Sequence, residues 1–166
     1  MKSAEKSVPK RKWLSHTPPV SVTQYAATAN YHVTVCVDRN KYGISGADVG
    51  RKGPLTGQCA VALLCAIQHY ASIGELSPVR AVVMPDHFHL ILCNKSDCSF
   101  PGVITKIKKW MANRFDVVWQ RGFFDHRIRN DESLEEQADY VAKNPVRKWL
   151  CNDAEEWPFA MRWVVR

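Results

Sequence analysis

An α+β fold built on an antiparallel sheet is what this sequence predicts, on three observations. Apolar and β-branched residues recur in short runs of strand length at 31–37, 79–84 and 87–93. Longer stretches with helical spacing of their apolar residues separate and follow them. The turn-favouring pair Pro85-Asp86 joins two of the short runs directly, which makes them antiparallel neighbours.

Taken in order, Tyr31, Val33, Val35 and Val37 alternate along a first strand, and a glycine-rich loop follows from Asp38 to Gly53. Pro54 suits a first helical position, so Leu55 to Ile73 reads as a largely apolar helix ended by Gly74. Val79–Met84 and His87–Cys93 are the second and third strands. Pro101 opens a second helix with Val103, Ile104, Ile107, Trp110, Met111 and Phe115 on a core-facing arc and Lys106, Lys108, Lys109 and Asn113 on the other. Phe123–Arg129 is a fourth strand, and Glu132–Lys143 a third helix stopped before Pro145. The first six elements have the ferredoxin-like βαββαβ order, with their helices on one face and a C-terminal helix added. Trp157, Phe159 and Trp163 read as a tail packed back on the domain.

The 166 residues fit one domain, expected at 21–166, behind a flexible basic arm at 1–20 that contains Lys10-Arg11-Lys12 and Pro18-Pro19. No apolar run is long enough to span a membrane, and Met1–Trp13 lacks the apolar core of a signal peptide, so a cytoplasmic protein is expected. The six cysteines include no C-x-x-C pair, which argues against a closed zinc site and for small, mostly buried hydrophobes. The net charge of +7 is unevenly spread. Residues 1–13 carry five Lys or Arg against one acid, and residues 101–129 seven against two. Two basic stretches point to a polyanion such as nucleic acid, with Lys106, Lys108, Lys109, Arg121, Arg127 and Arg129 as phosphate contacts.

Two features carry chemistry. His87 and His89 flank Phe88 on a strand, so both imidazoles share one face while Phe88, Leu90 and Leu92 take the other. At that spacing they can bind one divalent ion. On the third helix Leu134, Ala138 and Val141 make the apolar stripe, and Tyr140 lies off it with Asn144 four residues on.

Read in order, Met84-Pro85-Asp86-His87-Phe88-His89-Leu90, then Trp119–Arg129 (WQRGFFDHRIR), then Asp139-Tyr140-Val141-Ala142-Lys143-Asn144-Pro145, then Trp157-Pro158-Phe159 closely resemble the REP-associated tyrosine transposases. These are relatives of the single-tyrosine HUH transposases. The resemblance runs from about Tyr31 to Trp163 and implies His87 and His89 as the metal-binding pair, Asn144 as a third ligand and Tyr140 as the nucleophile. His126 and Arg129 would border the site. The loop Asp38–Gly53 and the N-terminal arm match nothing in the family's pattern. The implied activity is metal-dependent single-strand DNA cleavage and strand transfer through a 5′-phosphotyrosine, with Mg²⁺ or Mn²⁺ as cofactor. The implied partner is single-stranded or hairpin DNA, met by a monomer or homodimer away from membranes. Two other readings fit the same residues: a non-catalytic hairpin DNA or RNA binder derived from a transposase, and an HUH replication initiator.

Overall fold

The computed structural model describes residues 29–94, 99–129 and 133–164. The expected basic arm at 1–20 lies outside them, as do Cys98 and Glu132. Strand β1 (Ala29–Cys36) leads through a loop to helix α1 (Gly57–Ser72), strands β2 (Pro78–Met84) and β3 (His87–Asn94), helix α2 (Phe100–Phe115) and strand β4 (Phe124–Ile128). Helices α3 (Leu134–Ala142) and α4 (Asn144–Arg147) and strand β5 (Ala160–Arg162) complete the chain. The five strands form one antiparallel sheet in the order β4-β1-β3-β2-β5. Its first four strands have the expected ferredoxin-like arrangement.

The period of two divides the sheet between two cores. Val33, Val35, Ala81, Val83, Phe88, Leu90 and Leu92 are buried with α1 and α2 through Leu63, Ile67, Ile104, Ile107 and Met111. On the other face Val82, Met84, Ile91 and Ile128 are buried with Ala138 and Val141 of α3. The sheet is therefore a middle layer, and the added helix covers the face that the first two helices leave open. No helix among the described residues is long and apolar enough to cross a membrane.

Three expectations need correction and a fourth is extended. Pro54 does not start α1: Leu55 donates its N–H to the Pro85 carbonyl at 3.0 Å, so the helix begins at Gly57. Trp110 is 45 % exposed and sits at the edge of its arc, ring to ring with Phe115. Of the five described cysteines only Cys36 is buried. The C-terminal tail packs back, with Trp157 Nε1 donating to the Val83 carbonyl, but it also supplies β5, three residues paired with Arg80–Val82.

Candidate active site

β3 begins at His87 immediately after the Pro85-Asp86 turn, which sends Phe88 into the α1/α2 core and His87 and His89 to the α3 face. Both imidazoles are buried, at 8 % and 5 % exposure. Their Nε2 atoms lie 3.0 Å apart. Each Nδ1 is engaged from behind. His87 Nδ1 lies 2.6 Å from Asp86 Oδ1, and the other oxygen of that carboxylate accepts from Arg39 Nε, also at 2.6 Å. His89 Nδ1 lies 3.1 Å from Thr34 Oγ1 and 3.0 Å from His32 Nε2, both on neighbouring β1. A carboxylate can only accept, so His87 carries its proton on Nδ1. Burial alone would raise the Asp86 carboxyl, but the hydrogen bond and charge of His87, with the charge of Arg39, hold it below the usual carboxylate range.

Tyr140 reaches the same place from the opposite layer. Ser133 caps α3 by accepting from the Glu136 N–H, and the burial of Ala138, Val141 and Ala142 turns that helix onto the histidine face. Tyr140, off the apolar stripe, is left 51 % exposed. Although α3 ends at Ala142, Lys143 keeps helical dihedrals and α4 follows at once, so Tyr140, Asn144 and Arg147 lie on one side. The Arg147 guanidinium stands 3.8 Å over the Tyr140 ring and donates to the Tyr140 carbonyl at 2.8 Å and to Asn144 Oδ1 at 3.3 Å. A cleft of about 340 Å³ brings these elements together, lined by His87 and His89 of β3, Thr34 and Cys36 of β1, Tyr140 and Asn144, with Arg39, Val49, Gln120 and Phe124.

The donor set suits a divalent cation. Two imine lone pairs this close repel unless a shared proton or a cation lies between them. Nitrogens bound at right angles to one ion at about 2.1 Å would be about 3.0 Å apart, the separation found here. Among the described residues no group of three His, Cys, Asp or Glu converges. A third protein ligand would therefore be an amide, and Asn144 Nδ2 is buried without a partner. Turning that amide over would put an oxygen acceptor on the cleft in place of an orphaned donor, at the cost of the 3.3 Å bond from Arg147.

No family model matches the chain. A REP-associated tyrosine transposase of Escherichia coli (strain K12) is 32% identical over 82 residues, 48% of this chain and 50% of that protein. A Haemophilus influenzae protein named for the same family is 26% identical over 110 residues, 56% of this chain and 60% of its own. Over about half its length the chain is similar to REP-associated tyrosine transposases. It spans about half the length of the curated relatives it matches. The fold is shared with a solved REP-associated tyrosine transposase bound to a REP hairpin, with a TM-score of 0.65 and 24% identity over 82% of this chain and 78% of that one.

Of the residues by which the chain resembles the REP-associated tyrosine transposases, the structure gathers His87, His89, Tyr140 and Asn144 around one cleft. His126 faces the same side of β4 as Phe124, opposite His32 in register, whereas Arg127 pairs with Tyr31 and faces the α1/α2 side. Arg129, just past β4, and Arg121, in the turn before it, are exposed. Lys106, Lys108 and Lys109 ride on α2, across the sheet from the histidines. Lys106 is paired with Glu75 at 2.7 Å. Lys108 donates to the carbonyls of Gln120 and Gly122, both at 2.8 Å, and burial lowers its pKa. It thereby holds the segment that brings Gln120 to the cleft. Sequence reasoning missed Asp86, Arg39, Thr34, His32 and Arg147. Two of them carried a signal: Asp86 adjoins His87, and Arg147 lies two helical turns beyond Tyr140.

Proposed function

We propose that this chain is a metal-dependent single-strand DNA endonuclease and strand-transferase that acts on hairpin-forming repeat DNA through a 5′-phosphotyrosine on Tyr140. One observation carries the proposal. A half-exposed phenol on α3 and a buried, convergent imidazole pair on the adjoining sheet line one cleft.

Arg147 fixes the Tyr140 ring through its face and its backbone carbonyl, so the phenol oxygen has little rotational freedom to lose when a phosphate arrives. That oxygen forms a bond to phosphorus while the bond to the 3′ oxygen breaks, and the phenol's proton passes through water to the departing 3′ oxygen. The products are a 5′-phosphotyrosine and a free 3′-OH. A second 3′-OH can reverse the step and join a new strand without ATP, because the phosphotyrosine keeps the ester bond energy. Asp86, behind His87, favours the tautomer that leaves its Nε2 as an acceptor, and the Thr34 hydroxyl, able to accept from His89 Nδ1–H, is compatible with the same tautomer there. A Mg²⁺ or Mn²⁺ ion held by His87, His89 and the Asn144 amide would supply Lewis-acid polarisation of the phosphate and neutralise charge developing on its oxygens.

An unpaired strand can bend so that its phosphate meets Tyr140 in line, whereas a duplex would first have to melt. The hairpin bound by the structural relative supports the same class of substrate. The test is incubation with single-stranded oligonucleotides spanning hairpin repeats, with and without Mn²⁺, followed by denaturing electrophoresis and mass spectrometry. A Mn²⁺-dependent protein–DNA adduct is expected; cleavage with no adduct under any condition would point to attack by water instead.

A further inference from the structure

We infer that Arg39 is the phosphate clamp of this cleft, contacting a non-bridging oxygen of the bound strand through its terminal amino groups. The inference rests on the DNA-cleaving reading above and adds a residue from the loop that matches nothing in the family's pattern.

Arg39 stands on a fixed turn. Asp38 donates its N–H to the Val118 carbonyl at 2.8 Å, and its carboxylate accepts from the Asn40 and Lys41 N–H groups. The Arg39 carbonyl accepts from Ile44 at 2.9 Å. From that turn the side chain reaches Asp86, whose carboxylate is fully buried, while the Arg39 side chain remains 33 % exposed. A guanidinium serving only as counterion to a carboxylate usually meets it with a two-pronged fork. Here the second oxygen of Asp86 is 2.6 Å from His87, and Arg39 uses Nε alone. Its four terminal N–H donors have no partner among the described residues. Among the described residues, Arg39 is also the one permanently charged side chain lining the cleft.

A planar cation with spare donors, pinned from behind and beside a phenol and two imidazoles, matches the oxygens of a phosphodiester. A lysine would have to bridge Asp86 and phosphate from a single nitrogen, without the separated donors that let a guanidinium hold one group through Nε and the other through its terminal amino groups. Strand binding and the orientation of His87 would thereby be linked through one carboxylate.

The test is a binding scan that requires no cleavage. In a Tyr140→Phe background, a hairpin oligonucleotide with a single-stranded flank is prepared with a neutral methylphosphonate replacing one flank phosphate at a time. With Arg39 present, one position should weaken binding by about tenfold, the loss of a charge-assisted contact. In Arg39→Gln that dip should vanish while the other positions keep their profile, and Arg39→Lys should restore only part of it. Mn²⁺ affinity of each variant without DNA, measured by titration calorimetry, reports the histidine pair separately. A scan unchanged by Arg39→Gln overturns the inference, and a fall in Mn²⁺ affinity alongside that unchanged scan would make Arg39 only the counterion of Asp86. A scan with no dip in either protein overturns it as well. Absence of a covalent adduct in the Tyr140 protein would count against the cleavage reading, but a dip removed by Arg39→Gln would still establish the phosphate contact.

Discussion

The Nε2 atoms of His87 and His89 face one another at 3.0 Å, and each ring is held from behind through its Nδ1. Removing either imidazole should therefore abolish Mn²⁺-dependent cleavage and leave most oligonucleotide affinity, since phosphate contacts carry the binding. Asp86→Asn should be graded: its amide oxygen can still accept from His87 but without the charge, and Mn²⁺ affinity should fall by about tenfold or more. Titration calorimetry with Mn²⁺ checks both. Wild-type affinity in His87→Ala would remove that residue from the metal site.

Gly53 has φ +154°, and a Cβ built there would meet the Pro85 carbonyl oxygen at 2.1 Å. That carbonyl accepts the Leu55 N–H and belongs to the turn that carries Asp86. Gly53→Ala must shift backbone rather than a flexible side chain, at a cost of about 2–4 kcal/mol. Thermal denaturation should show the loss, and Mn²⁺ affinity should fall with it. Gly43→Ala, with open space around its Cβ, should disturb the site far less. Equal effects of the two would contradict this account of the loop.

Lys108 and Lys106, two residues apart on α2, point to different sides of the helix and do different work. Lys108→Ala removes two charge-assisted bonds to the Gln120 and Gly122 carbonyls and should cost about 1–3 kcal/mol in chemical denaturation. Lys106→Ala breaks only an exposed pair with Glu75 and should leave stability nearly unchanged. Comparable stabilities of the two variants would show that the loop is held by something else.

How much of this was legible beforehand follows from what sets each feature. Alternation and the Pro85-Asp86 turn located β2 and β3, and the helical spacing of Ala138 and Val141 left Tyr140 off the core. These are local patterns. β5 was not legible: three residues carry no periodicity, and Ala160–Arg162 becomes a strand only because the edge of β2 offers it partners. The reach of Arg39 to Asp86 spans 47 positions and depends on how an irregular loop folds, which no spacing encodes. The lysines of α2 look alike in the sequence, because charge in a sequence does not show which ammonium the fold has already used.

Arg147 covers the Tyr140 ring at 3.8 Å and joins it to Asn144. Arg147→Ala should free the phenol and slow adduct formation by about tenfold, with little change in thermal stability because the pair is exposed. Arg147→Lys should recover part of the rate. Single-turnover kinetics at saturating oligonucleotide separates this from weaker binding, and an unchanged rate in Arg147→Ala would reduce the stacking to a surface contact.

The central claim is that the Tyr140 phenol, and not a water molecule, attacks the phosphate. Tyr140→Phe keeps the ring under Arg147 and deletes only the hydroxyl, so folding, Mn²⁺ binding and oligonucleotide affinity should all survive. The measurement compares wild type and Tyr140→Phe on one end-labelled single strand with Mn²⁺, reading the denaturation-resistant adduct and the free 3′-OH together. Wild type should yield both in equal amounts and Tyr140→Phe neither. Cleavage by Tyr140→Phe at near wild-type rate, with no adduct in either protein, would contradict the account and leave His87 and His89 as a hydrolytic metal site.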